Sequence, residues 1–163
     1  MKNSTTSSDI KTLVEVTKAD SRIKKAQLLP HPDSRLDSFL MKIHPISDEG
    51  VPYRDLTNLE TKKESLGQLI EKLNVTKSIR YQRTVEDTYC NVYSCDYCYF
   101  SKVYLPTIWW TDEALQRVLN GEEVEPIFGE TVDNIYSSAI HDWFGVWGAS
   151  FGWKKMTDLD EIQ

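Results

Sequence analysis

Three cysteines, Cys90, Cys95 and Cys98, carry the sharpest local chemical signal in this chain of 163 residues. Their C-x4-C-x2-C spacing ends in a knuckle that can place two thiolates on one zinc, with His141 or His44 available to complete a tetrahedral set. The same spacing opens the plant-type iron–sulfur pattern, which needs a fourth cysteine that the chain lacks. The competing reading is structural. If the surrounding stretch forms regular strands, Cys90 and Cys98 are small buried hydrophobes and only Cys95, beside a turn, meets water. No glycine flanks the cluster to bend the backbone around an ion. The structural reading is preferred, and no metal or cofactor is assigned. A zinc- or small-ligand-binding domain built on Cys90, Cys95 and Cys98 is kept as an alternative.

A second possibility is nucleophilic catalysis, with Cys95 activated by His141 and the imidazole oriented by Asp142 or Asp133. A reactive thiol needs a cation or a helix N-terminus to lower its pKa, whereas Cys95 is followed by Asp96. His31 sits between two prolines, and His44 precedes Pro45 as at the edge of a sheet. No H-E-x-x-H, G-x-S-x-G or phosphate-cradling glycine loop occurs. No catalytic residue is assigned, and a small enzyme using His141 with Cys95 or a carboxylate is a further alternative.

The third feature is aromatic. Between His141 and Trp153 the chain carries Trp143, Phe144, Trp147, Phe151 and Trp153, interrupted by Gly145, Gly148 and Gly152. On a continued helix Trp143, Trp147 and Phe151 form one stripe, which packs on a core or floors a binding surface. The glycines weaken that helix. Trp109 and Trp110 form a second pair, and neighbours on a strand face opposite sides, so one of them is expected to be exposed unless a second layer covers it. Tyr and Trp at a surface are typical anchors of protein interfaces.

Charge separates the chain into unlike halves. Residues 1–80 hold 14 Lys and Arg against 11 Asp and Glu, whereas residues 81–163 hold 5 against 14. The acidic half repels phosphate backbones, which disfavours nucleic-acid binding, and attracts basic proteins. No apolar run reaches the length of a membrane span. The N-terminus lacks the apolar segment of a secretory signal, and an odd number of cysteines argues against a disulfide framework, so a cytoplasmic protein with reduced thiols is expected.

The elements that must position these residues follow from periodicity. Residues 1–8 are polar and expected to be disordered, and residues 9–163 to form a single domain. Ile10, Leu13, Val14, Ile23 and Ala26 suit a helix from Asp9, either one bent helix or two short ones broken at Ala19 to Ser21, ended by Pro30 and Pro32. A helix over 57–73 starts at a Thr57/Glu60 capping box, presents Leu59, Leu66, Leu69, Ile70 and Leu73, and stops at Asn74. About residues 38–46 and 78–108 the pattern turns to strands, predicting an antiparallel meander. Thr111 caps a short helix closed by Asn120-Gly121, and a last helix runs over about 131–147. The expected class is therefore α+β, a meander packed against the helices near 57–73 and 131–147. The expected function is non-catalytic: an acidic protein-binding domain, inhibitor- or immunity-like, that engages a basic partner. Its contact residues are expected to be Trp109, Trp110, Glu122, Glu123, Glu125, Trp143, Trp147 and Trp153.

Overall fold

The computed structural model describes residues 20–36, 38–47, 50–51, 53–55, 57–85 and 88–156. The terminus expected over 1–8 and the helix expected from Asp9 lie outside them up to residue 19. Among the described residues the chain forms α1 (Phe39–Lys42), α2 (Leu59–Leu73), α3 (Cys90–Phe100), β1 (Ile108–Trp110), α4 (Asp112–Leu119), β2 (Val132–Asn134) and α5 (Ser137–Val146). Two 3-10 turns, Ile79–Tyr81 and Gly148–Phe151, complete the set. β1 and β2 pair antiparallel, with Ile108 opposite Asn134 and Trp110 opposite Val132. The class is α+β.

The helices are closed by local chemistry. The capping box of α2 lies one residue beyond the expected pair: Asn58 Oδ1 accepts from the Thr61 amide at 3.0 Å, and Thr61 Oγ1 accepts from the Asn58 amide at 3.2 Å. Thr57 instead turns on Asp55, whose Oδ1 accepts from the Thr57 amide at 2.8 Å. Asn74 ends the helix in the left-handed region at φ 47°. Leu69 and Leu73 are buried while Leu59 and Ile70 stay exposed, so the apolar stripe is narrower than the full leucine pattern. At α4 the Thr111 side chain accepts from the Ala114 amide, and Gly121 at φ 88° lets the chain turn away past the end.

Among the described residues the expected meander does not form. Residues 39–42 are helical, 79–81 are a 3-10 turn, and 90–100 are an α-helix. In α3 the buried residues are Val92, Cys95, Asp96 and Phe100, a spacing that places them on one helical face. The density of Tyr, Val and Cys favours strands, but that preference reflects packing on a sheet, and here burial against α2 decides. The last helix also begins later than expected. Val132 to Asn134 are taken into the ladder with β1, which continues through Ile135 N–H to Thr107 C=O at 3.1 Å, so α5 starts only at Ser137. Ile23 and Ala26 are buried, yet they lie on irregular chain rather than on a helix.

Two apolar clusters result. One gathers Ile108, Trp110, Val118, Val132, Trp143 and Trp147 around the sheet, α4 and α5. The other gathers Leu69, Leu73, Tyr81, Val92 and Phe100 between α2 and α3. The segment from Asp20 to Ile46 serves both: Ile23, Ala26 and Ile43 enter the first and Ile46 the second.

Candidate interaction surface

The cysteines are placed by a helix, and their exposure is the reverse of that expected from strands. Cys90 is exposed, Cys95 is buried and Cys98 is intermediate. Cys95 donates to the Pro106 carbonyl at 3.6 Å. Burial pushes its thiol well up, with the nearby Asp96 carboxylate adding to the effect. The Cys98 thiol is pushed up to about 11 by burial. Neither is primed as a nucleophile or ligand near neutral pH. Among the described residues no group of three or more His, Cys, Asp or Glu side chains is arranged to hold a metal ion.

His141 lies on α5 with its side chain 93% exposed, 3.4 Å from the equally exposed Asp142. A side chain so fully in water does not abut the buried Cys95. The structure keeps the two apart.

A dense set of internal hydrogen bonds centres on Arg80, beside the Ile79–Tyr81 turn. Arg80 is fully buried. Its Nε and Nη2 donate to Asp96 Oδ2 and Oδ1 at 2.7 and 3.1 Å. Its remaining N–H groups reach the carbonyls of Ser34, Met41 (3.0 Å), Lys42 (3.3 Å) and His44 (2.7 Å). The guanidinium thus caps the C-terminal end of α1, where carbonyls lack helical partners, and pins it to α3. Tyr81 Oη donates to Asp96 Oδ2 at 3.0 Å. Burial pushes the Asp96 carboxyl above its ordinary range, against the opposing pull of Arg80 and Tyr81. This is an architectural site, since every contact is internal.

The tryptophans expected at a partner surface are mostly inside. Trp110, Trp143 and Trp147 are buried, and Trp109 and Trp153 are partly buried against the same cluster. Trp143 stacks on Phe151 at 5.5 Å and meets Trp109 edge-on at 5.5 Å. Two indole N–H groups fasten distant chain: Trp110 Nε1 to the Lys24 carbonyl and Trp153 Nε1 to the Tyr104 carbonyl, both at 2.8 Å. For the Trp109–Trp110 pair a second layer is present: Trp143 of α5, Trp147 and Phe151 cover Trp109, which is partly buried.

The charge exposed between residues 103 and 153 is mainly acidic. Between residues 103 and 153 the chain has eight Asp and Glu and one basic residue, Arg117. All eight, Asp112, Glu113, Glu122, Glu123, Glu125, Glu130, Asp133 and Asp142, are exposed. Arg117 is itself engaged by Glu122, Nε to Oε2 at 2.9 Å.

Four of these acidic residues lie on or beside a hydrogen-bonded backbone frame around Thr131. Its Oγ1 accepts from the Ile127 amide at 2.8 Å and donates to the Glu125 carbonyl at 2.6 Å, and its carbonyl accepts from the Thr111 amide at 2.9 Å. Glu125 and Glu130 are thereby fixed beside the N-terminus of α4, where Asp112 and Glu113 complement the helix dipole. No family model matches the chain, and no curated protein or solved structure matches it. The reading of this surface therefore rests on its own chemistry. Counting acids along the sequence locates it; the Thr131 frame has no sequence signature beyond a threonine in an acidic loop.

Proposed function

We propose that this protein is a non-catalytic binding domain that engages a basic protein partner through the acidic surface of its C-terminal half. The observation that carries the reading is the set of eight exposed carboxylates over residues 103–153, opposed by a single arginine that Glu122 already engages. Such a one-sided field steers a cationic partner toward the surface and raises the rate of encounter, as in inhibitor- and immunity-type proteins that capture basic enzymes. The contact set is Glu122, Glu123 and Glu125 with Glu130 and Asp112. The tryptophans stand behind it as scaffold. Free thiols of this kind suit a reducing, cytoplasmic setting.

The test is kinetic. The partner is isolated by affinity capture from the source cells, and its association rate is measured against the wild type and the triple reversal Glu122→Lys, Glu123→Lys, Glu125→Lys. The wild-type rate should fall at least about tenfold between low and moderate salt, where the Debye length drops from about 30 Å to 8 Å. The reversal should slow association at low salt by a similar factor. An acidic partner, or a rate indifferent to both salt and reversal, overturns the proposal.

A further inference from the structure

An apolar patch opens beside the acidic frame, where α1 meets the loop leading into β2. Phe39 and Leu40 are 46% and 52% exposed, although they share a helix of one turn with the buried Lys42. The Phe39 ring lies 6.2 Å from that of Phe128, which ties α1 to the loop, and the adjacent Ile127 is 42% exposed. The loop is stiff. The Ile127 carbonyl accepts from the amides of Glu130, Thr131 and Val132 at 2.9–3.2 Å, while the Gly129 amide donates to the Val132 carbonyl at 2.9 Å. Exposed carboxylates, Glu125 and Glu130, stand two or three residues to either side of Ile127.

We propose that this patch is the seat for the apolar side of a basic amphipathic helix supplied by the partner protein. The inference rests on the acidic-surface reading above and names where and how that partner docks. Charge selects the occupant. An anionic membrane surface or a nucleic acid is repelled by Glu125 and Glu130, and a second copy of the chain, docked patch to patch, brings like charges together. An apolar stripe flanked by Lys and Arg satisfies both parts at once: its apolar residues cover Phe39, Leu40 and Ile127, and its cations meet the two glutamates. Because the Thr131 hydrogen bonds already hold the loop, docking orders little chain on this side of the interface.

The experiment uses two synthetic peptides of equal length and charge, one with Leu and Lys at helical spacing and one with Ser in place of each Leu. Binding to the wild type, to Leu40→Ser/Ile127→Ser and to Glu125→Gln/Glu130→Gln is measured at low salt. The wild type should prefer the Leu/Lys peptide by about tenfold or more, and the Leu40/Ile127 variant should lose that preference while its weak, salt-sensitive binding of the Ser/Lys peptide is unchanged. The glutamate variant should weaken both. If the Leu40/Ile127 variant keeps the preference while the glutamate variant loses binding, the seat is wrong and the acidic surface stands. If neither peptide binds the wild type, both readings fall. A wild-type dimer dispersed by the Leu40/Ile127 variant makes a second copy the occupant and overturns the proposal. Unchanged melting curves show that the variants fold, and Leu40→Gln alone serves where the double variant does not.

Discussion

Arg80 shows how one side chain can replace the sheet that its segment is expected to build. It satisfies carbonyls from four residues between Ser34 and His44 and a carboxylate from α3, so the chain around α1 needs no strand partner there. Removing it leaves Asp96 buried without its counter-charge. Arg80→Ala should therefore lower unfolding free energy by about 3–5 kcal/mol in urea titrations, the range for breaking a buried ion pair from one side. Arg80→Lys should recover only part, because one ammonium cannot hold both carboxylate oxygens and the carbonyls. The paired change Arg80→Met with Asp96→Leu should cost less than the two single changes summed. Simple additivity would show that Arg80 and Asp96 act independently.

Among the elements, α3 departs furthest from its local preference, and its cysteines report on it directly. Cys90 faces water while Cys95 is sealed against Pro106. Alkylation of the folded protein at neutral pH should modify Cys90 first and Cys98, with its raised pKa, much more slowly. Cys95 should react only on unfolding, with mass spectrometry assigning each site. Labelling of Cys95 as fast as Cys90 would return this stretch to an exposed strand. The same helix sets the three thiols of the C-x4-C-x2-C spacing on different sides. Residues 95 and 98 share a helical face that packs inward, and Cys90 lies on the outside.

For the molecule as a whole, buried tyrosines set the alkaline limit. Burial raises Tyr81 and Tyr104 above the usual tyrosine range, with the Asp96 charge adding to the effect at Tyr81. Cys95 and Cys98 are raised in the same sense. A group whose folded pKa lies above its unfolded value adds no pH dependence while both states hold the proton. Once the pH passes the unfolded value, near 9.0 for the thiols and 10.0 for the phenols, the unfolded chain releases protons first and stability falls. The melting temperature should thus be flat from pH 7 to about 8.5 and drop steeply above about 9 to 10. Tyr104→Phe should lessen the drop. It should also lower stability at neutral pH, since Tyr104 Oη donates to the Ala26 carbonyl at 2.8 Å and accepts from the Ala26 amide at 3.0 Å. A melting temperature constant to pH 11 would contradict the burial argument.

Some of this was legible in the residues alone because its causes are local. The Thr111 cap, the Asn74 and Asn120-Gly121 stops, the helices near 57–73 and 112–119, and the acidity of the second half each depend on neighbours within a few positions. An α+β class followed from the mixture of periods. What the tertiary structure decided depends on contacts between distant segments. Arg80 reaches Ser34 across 46 positions, Trp110 reaches Lys24 across 86, and Trp109 is covered by Trp143, Trp147 and Phe151. β-Rich composition over 90–100 was overruled because a helix places Val92 and Phe100 together in the cluster with Leu69 and Leu73 of α2. Side-chain type states what a residue can bond to; only the assembled core determines whether it is buried and which partner it meets.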